Sequence, residues 1–487
     1  MLAALAALAV LLWFLDAPFS PQRAGQHGDI GDEVACMQAK IGWNFVVHPQ
    51  AVHRFWPLAN EATVPADHAV HYKTHPPLCY LALGLAQGLL GRETWAVRLV
   101  PLLSCVLTLW LIERLARRTL GSPASWCVLA VFATLPLTLK HGTGLGFEFF
   151  CQPLLLAAWL VYLRDPALRG RTLLSLLGLW ILGAWSDIAG HYGPLTVLAD
   201  VLLFRRDLGL GRRLRLALAG VVTAAGLFLL VQLHSAWASR EPIDWQRISG
   251  GALELAPPWS ASLHALWTHG SHLLGVPALG LALVGSLGHP HAVLTPGPAA
   301  APLRPWVAIL CAGLGHCLML RRHALQHEFW LSYTGPAVAA LAVAALLALR
   351  LRGRLVPVLL TALCAFQLVA GVLYRQASID PAARDFGLQV RACVDGDRGE
   401  VAVVPFAPGS ERTVGFYARA IIARGVTRDD AAQIWLRIHG AQDGRRILLL
   451  TPEQRQQHAA TVATLFPGLE LTPCGPFLRG DVTRFFQ

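Results

Sequence analysis

Two adjacent carboxylates and a lysine give the first suggestion of chemistry in this 487-residue chain. Asp32 and Glu33 close the run Gly28-Asp29-Ile30-Gly31-Asp32-Glu33, and Lys73 sits in Tyr72-Lys73-Thr74-His75-Pro76-Pro77-Leu78. A carboxylate positioned beside a hydroxyl takes its proton in the transition state, an effect of about 10² to 10⁴-fold. An ammonium group stabilises negative charge developing on a departing anion. Two acids and a lysine in one polar loop at the membrane surface mark it as a candidate catalytic site. Each also has a plainer reading. Asp32 and Glu33 suit the N-cap and first turn of a helix over Val34–Lys40. The His75-Pro76-Pro77 segment suits a stiff, extended entry into the next helix.

Other ionisable residues gather at the ends of apolar runs: Arg98, Lys140, His141, Glu148, Asp187, His191, Arg321, Arg322, His323, His327 and Glu328. Charge this close to lipid is costly unless it is paired or lines a wet cavity. Lys140, Arg321 and Arg322 equally suit snorkelling to lipid headgroups. Asp187 with His191 equally suits an internal pair locking two helix ends.

The elements that would position these residues are mostly apolar. The chain is 55% hydrophobic and 14% charged, against roughly 25% charged in ordinary soluble domains, and its mean hydropathy is +0.49. About eleven runs approach the length needed to cross a bilayer as helix. They are Leu2–Leu15, Trp95–Leu115, Pro123–Leu139, Gly144–Leu163, Leu173–Asp187, Tyr192–Phe204, Leu216–Leu233, Leu266–Leu287, Trp306–Leu320, Phe329–Leu349 and Leu355–Tyr374. Met1–Asp16 lacks the basic flank of a signal peptide and reads as an uncleaved first span.

Basic residues set the orientation. Arg114, Arg117 and Arg118, then Arg164, Arg169 and Arg171, then Arg205 to Arg215, and later Arg350 to Arg354 fall on one side when the short run Leu78–Leu90 does not cross. By the positive-inside rule that side is cytoplasmic. Leu78–Leu90 is then a juxtamembrane or re-entrant helix, the N-terminus is cytoplasmic, and the first loop and C-terminal segment are extracytoplasmic. The formal charge of +11 is accounted for by these short loops, so nucleic acid is excluded as a partner.

The expected fold is an all-α polytopic membrane protein with juxtamembrane helices and a small C-terminal α/β domain. Residues 1–375 form the membrane domain, with a large first outer loop over 17–92, and 376–487 form the soluble domain. In the latter, Glu400–Pro405 and Arg446–Leu450 read as strands and Phe416–Ala423 as a helix. No Gly-x-Gly-x-x-Gly or Walker lysine appears there. The ten cysteines contain no Cys-x-x-Cys pair. Those in the spans suit packing, whereas Cys393 and Cys474 can pair in an oxidising compartment.

In their order, these motifs resemble the GT-C superfamily of membrane glycosyltransferases, nearest to bacterial relatives of protein O-mannosyltransferases and of the lipid A aminoarabinose transferase. The resemblance rests on Asp32-Glu33 after the first span, the Tyr72–Leu78 motif, the Gly91–Pro101 stretch with Ala96, Arg98 and Leu99, and His327-Glu328-Phe329-Trp330 before Pro336. It implies an inner-membrane enzyme that moves a hexose or pentose from a polyprenyl-phosphate donor, with inversion. The acceptor is a hydroxyl of an envelope lipid, glycan or protein, reached at the outer face. By resemblance Asp32 is the general base supported by Glu33, and Lys73, Arg98, His327 and Arg321 hold the donor phosphate. Glu148, Asp187 and His75 are candidates for the acceptor side or for a second acid. No cofactor is implied with certainty; a divalent metal bridging carboxylate and phosphate stays open.

The chain departs from the pattern at two places. Relatives carry an acid before a Pro-Leu pair in the fourth span, where this chain has Gln152 before Pro153-Leu154, with Glu148 one turn away. A lysine-glycine turn is replaced by Asp187-Ile188-Ala189-Gly190. Two other readings therefore stand beside the enzyme: a catalytically degraded homologue that binds a lipid carrier, and a polytopic transporter or flippase.

Overall fold

The computed structural model describes residues 31–58, 71–72, 75–142, 147–165, 168–243, 258–288, 302–319, 328–348, 355–377, 382–395, 400–405, 418–424 and 445–485. The chain divides into two compact units. One is built on Arg98–Ala377; the other joins Ala17–Val97 to Ser378–Gln487.

In the second unit, α1 (Gly31–Val47) crosses α3 (Leu78–Leu90) after the short turn α2 (Gln50–His53). The crossing is backbone against backbone: a Cβ at Gly84 would lie 2.5 Å from the Gly42 carbonyl oxygen, which only glycine tolerates. Gln87 Nε2 donates to the Ala39 carbonyl at 2.8 Å beside it. The chain between these helices is tied back to them. Asn44 Nδ2 donates to Leu58 O at 2.8 Å, Leu58 bridges His71, and Trp56 Nε1 donates to Tyr72 O at 2.9 Å.

The first unit begins with α4 (Thr94–Leu120), whose first residues still belong to the other unit, and runs through α5 (Ser122–Thr134), α6 (Pro136–His141), α7 (Phe147–Arg164), α8 (Gly170–Ser186) and α9 (Tyr192–Phe204). It continues with α10 (Leu210–Ser239), α11 (Trp259–Gly270), α12 (Val276–Leu287), α13 (Arg304–Met319), α14 (Gly335–Ala348) and α15 (Leu355–Ala377). Among the described residues, five stretches are long and apolar enough to cross a membrane: Trp95–Leu120, Leu210–Ser239, Trp259–Leu287, Leu331–Ala348 and Leu355–Leu373. Shorter apolar helices account for most of the remaining expected spans, and the first, Leu2–Leu15, lies outside the described residues. The protein is a multi-pass membrane protein.

Burial separates the helices by role. In α14 almost every residue from Gly335 to Leu346 is buried, because its alanines let α5, α12 and α13 approach closely. On α10 and α15, by contrast, Leu218, Val222, Val358 and Val369 stand exposed. An apolar surface of that kind is stable against lipid tails.

Three expected single helices are broken, and one of them, Leu266–Leu287, is interrupted by the π segment Ser271–Gly275, where Gly275 has φ +77. Pro136 has no N–H and drives the residue before it out of helical geometry, so Leu135 is extended (φ −54, ψ 135) and separates α5 from α6. The span expected from Phe329 starts as a 3₁₀ turn over Glu328–Thr334, and the α-helix begins only at Gly335. Pro336 then sits in the first turn, where a missing N–H costs nothing.

The C-terminal part of the second unit is a five-stranded sheet in the order β2-β1-β3-β5-β4. Its elements are α16 (Ala382–Arg391), β1 (Val401–Val404), β2 (Ile421–Arg424), β3 (Arg446–Leu450), α17 (Pro452–Gln457), α18 (Ala459–Leu465), β4 (Thr472–Cys474) and β5 (Phe477–Asp481). β1 pairs parallel with β2 and β3, while β5 pairs antiparallel with β3 and β4. Alternate residues feed two cores. Ala402, Val404, Ile447 and Leu449 meet Val390 and Phe477 on one face; Val401, Val403, Leu448 and Leu450 meet Val462 and Phe466 on the other.

One sequence expectation is corrected: Ile421–Ala423, assigned above to a helix, lies in β2, with Ile421 opposite Val401. The β-branched pair Ile421-Ile422 fits a pleated ladder, and pairing with β1 decides its state. Cys393 and Cys474 form a disulfide with Cα atoms 5.8 Å apart. Arg419 donates to Glu93 at 2.6 Å, joining sequence-distant parts of the unit.

Candidate functional site

The two motifs of the first loop belong to the second unit. Asp32 and Glu33 lie in the first turn of α1, as the N-terminal acids of a helix should; their side chains lie outside the described residues, as does Lys73. Of the Tyr72–Leu78 motif, the structure fixes both ends. The Tyr72 ring stacks on His75 at 6.2 Å between centroids and meets Tyr80 edge-on at 5.8 Å. Trp56 holds the Tyr72 carbonyl from behind. Pro76 and Pro77 are buried and lead directly into α3. In sequence, Lys73 and Thr74 lie between these anchors, outside the described residues. Nearby, Phe55 N–H donates to His53 Nδ1 at 2.9 Å, and burial together with His48 holds the His53 imidazole below its ordinary range.

In the first unit a polar cluster surrounds the turn between α13 and α14. Asp187 closes α8 and caps the 3₁₀ turn Ile188–His191, accepting from Ile188 N–H at 2.7 Å through Oδ1. Its Oδ2 accepts from the hydroxyl of Tyr333. Both groups are buried, and a buried carboxylate is tolerated only with such donors. The backbone here is tightly folded: a Cβ on Gly190 would lie 2.1 Å from the Gly183 backbone. His316 on α13 sits between two phenols, its ring 5.5 Å from Tyr333 and 5.6 Å from Tyr192, both edge-to-face.

Gln152 grips the same turn from α7, donating Nε2 to Ser332 O at 2.6 Å. An ionised acid at this position would set an acceptor against that carbonyl, so glutamine is the residue that fits. The arrangement encloses a narrow apolar pocket of about 30 Å³, lined by Gln152, Leu155, Tyr192, His316, Tyr333 and Pro336 among others.

The structure thus brings Asp187 together with Tyr333, His316, Tyr192 and Gln152, four residues that sequence reasoning did not group. Their signal was weak, since each is one of several scattered polar side chains within an apolar run. Arg98 is buried near the start of α4. Glu148 lies in the first turn of α7, one turn before Gln152, with its side chain outside the described residues. Arg321 and His327 also lie outside them. Among the described residues no group of three or more His, Cys, Asp or Glu side chains is placed to hold a metal ion.

A second buried network occupies the far end of α9. Asp200 accepts from the Tyr162 hydroxyl and pairs with Arg304, and Arg205 pairs with Asp207 at 2.8 Å. Every charge here has a partner of opposite sign, which suits a packing role.

No family profile matches the sequence, and no curated relative matches it. Solved structures do. The apo structure of ArnT from Cupriavidus metallidurans superposes with a TM-score of 0.50 at 15% identity, covering 99% of this chain and 98% of that one. The apo oligosaccharyltransferase of Archaeoglobus fulgidus gives a TM-score of 0.54 at 11% identity, covering 99% of this chain and 74% of that one. The likeness spans both the membrane helices and the C-terminal sheet, and the chain is built on the GT-C fold.

Proposed function

We propose that this protein is an integral membrane glycosyltransferase that moves a hexose or pentose from a polyprenyl-phosphate donor to a hydroxyl of an envelope lipid, glycan or protein. The observation that carries the reading is the GT-C fold over the full length of an ArnT, together with an acid pair in the first turn of α1. In the reaction, the acceptor oxygen bonds the anomeric carbon as its proton passes to Asp32. The bond from that carbon to the phosphate oxygen breaks, and its electron pair leaves with the lipid phosphate. Attack opposite the leaving group inverts the anomeric centre. Lys73, Arg98, His327 and Arg321 meet the charge of the departing phosphate, which needs no acid when cations stabilise it. Glu33 supports Asp32, and Glu148, Asp187 and His75 serve the acceptor side. The arginine-rich loops and the Cys393–Cys474 disulfide support a bacterial inner-membrane location with the loop 17–92 and the domain 376–487 in the oxidising periplasm.

The deciding experiment gives purified protein a radiolabelled polyprenyl-phosphate sugar and membrane acceptors, with wild type beside Asp32→Asn. Turnover in the wild type that falls about 10² to 10⁴-fold in a folded Asp32→Asn variant supports the transferase. A second reading, a degraded homologue that only holds a lipid carrier, is favoured by Gln152, whose amide is committed to Ser332. Donor binding without turnover in either protein would establish it. Passage of substrate across vesicles, indifferent to Asp32→Asn, would instead indicate a transporter.

A further inference from the structure

An open polar pocket of about 530 Å³ lies where the parallel strands β1, β2 and β3 begin. Four arginines line it, Arg391, Arg419, Arg445 and Arg479, against two carboxylates, Asp395 and Glu400. Glu400 is the buried member, 6% exposed. It accepts from Arg445 Nη1 at 3.1 Å, from Arg479 Nη2 at 3.4 Å and from the Asp395 amide at 2.9 Å. Arg479 Nε is fixed in turn on the Cys393 carbonyl at 2.8 Å, beside the disulfide. One buried carboxylate and one disulfide residue therefore hold two guanidinium groups in place.

The other two arginines are less committed. Arg391 is exposed at the end of α16. Arg419 pairs with Glu93, which is 57% exposed, and Arg445 also reaches Asp481, which is 40% exposed. Solvent-exposed pairs of this kind are weak and exchange readily. Arg419 also has φ +53 two residues before β2, a conformation rare for a long side chain and kept only where the surroundings impose it.

The geometry points to a phosphate-binding site in this pocket, taking a phosphate ester or a diphosphate. Guanidinium forks approaching from several elements match the several oxygens of phosphate better than a single carboxylate. The volume exceeds one phosphate and falls within the range of small-ligand pockets, so the occupant carries a second group, as pyrophosphate or a lipid headgroup does. None of these six residues takes part in the proposed sugar transfer, and the site does not depend on that reading.

The test is a calorimetric titration of the full-length chain in phosphatidylcholine nanodiscs with inorganic pyrophosphate. Wild type should bind, and the Arg391→Gln/Arg419→Gln double variant should bind about tenfold or more weakly, with its thermal unfolding unchanged. Arg484→Gln, which removes an exposed arginine of the same domain outside the pocket, should bind as wild type does. Hydrogen exchange should slow at 391–395 and 418–424 on binding. Absence of binding, or a loss in Arg484→Gln equal to that in the double variant, overturns the site. So does exchange protection confined to other segments. Repeating the titration in nanodiscs containing phosphatidic acid identifies the occupant. A weakened apparent affinity there names a lipid headgroup, and an unchanged one names a soluble phosphate compound; either supports the site.

Discussion

At the scale of single residues, the informative comparison is between Asp187 and Gln152. Sequence reasoning offered Asp187 as a candidate for the acceptor side or as an internal partner of His191, and marked Gln152 as standing where relatives carry an acid, with Glu148 one turn away. Both prove to hold the turn that opens α14, one through the Tyr333 hydroxyl and one through the Ser332 carbonyl. Neither partner was legible, because Tyr333 and Ser332 lie more than a hundred residues away in sequence and no local periodicity announces them. Removing the phenol therefore tests a clamp. Tyr333→Phe should lower stability by about 1 to 3 kcal/mol, the cost of depriving a buried acceptor of its donor. Chemical unfolding in detergent measures it, and a variant as stable as wild type would show that the carboxylate is satisfied without Tyr333.

At the scale of elements, apolar runs were readable and their interruptions were not. Tyr192–Phe204 has the expected boundaries, and Leu78–Leu90 is the expected short helix. Hydropathy carries no record of the extended Leu135, since leucine and proline are both compatible with an apolar window. Ile421–Arg424 shows the complementary failure: its state is set by a strand twenty residues earlier. Glycines mark where helices touch. In α8, Gly183 accepts the backbone of Gly190, whereas Gly178 faces open space. Gly190→Ala should therefore destabilise by about 1 to 3 kcal/mol through overpacking, while Gly178→Ala should stabilise by about 0.5 to 1 kcal/mol. Parallel melts of the two variants check the contrast, and equal effects would refute the close approach.

At the scale of the whole molecule, the GT-C architecture was legible because its motifs recur in order, while the lipid-facing and buried helices could not be told apart from composition alone. The sheet domain was visible as two apolar strands, yet its disulfide needed the fold to bring residues 81 apart in sequence to within bonding distance. By the loop-entropy estimate this closure is worth about 4.5 kcal/mol. A Cys393→Ser/Cys474→Ser variant should thus release its C-terminal domain to limited proteolysis. Reductant should do the same to wild type and nothing further to the variant; protease resistance in all cases would exclude a stabilising bridge. The contact between Glu93 and Arg419 spans 326 residues of sequence, and this imposes an order on biosynthesis. At roughly 5 to 20 residues per second, the ribosome reaches Arg419 some tens of seconds after Glu93 has emerged. Every intervening helix is made in that interval, so the nascent first loop waits for its final partner until the last stretch of chain has been delivered.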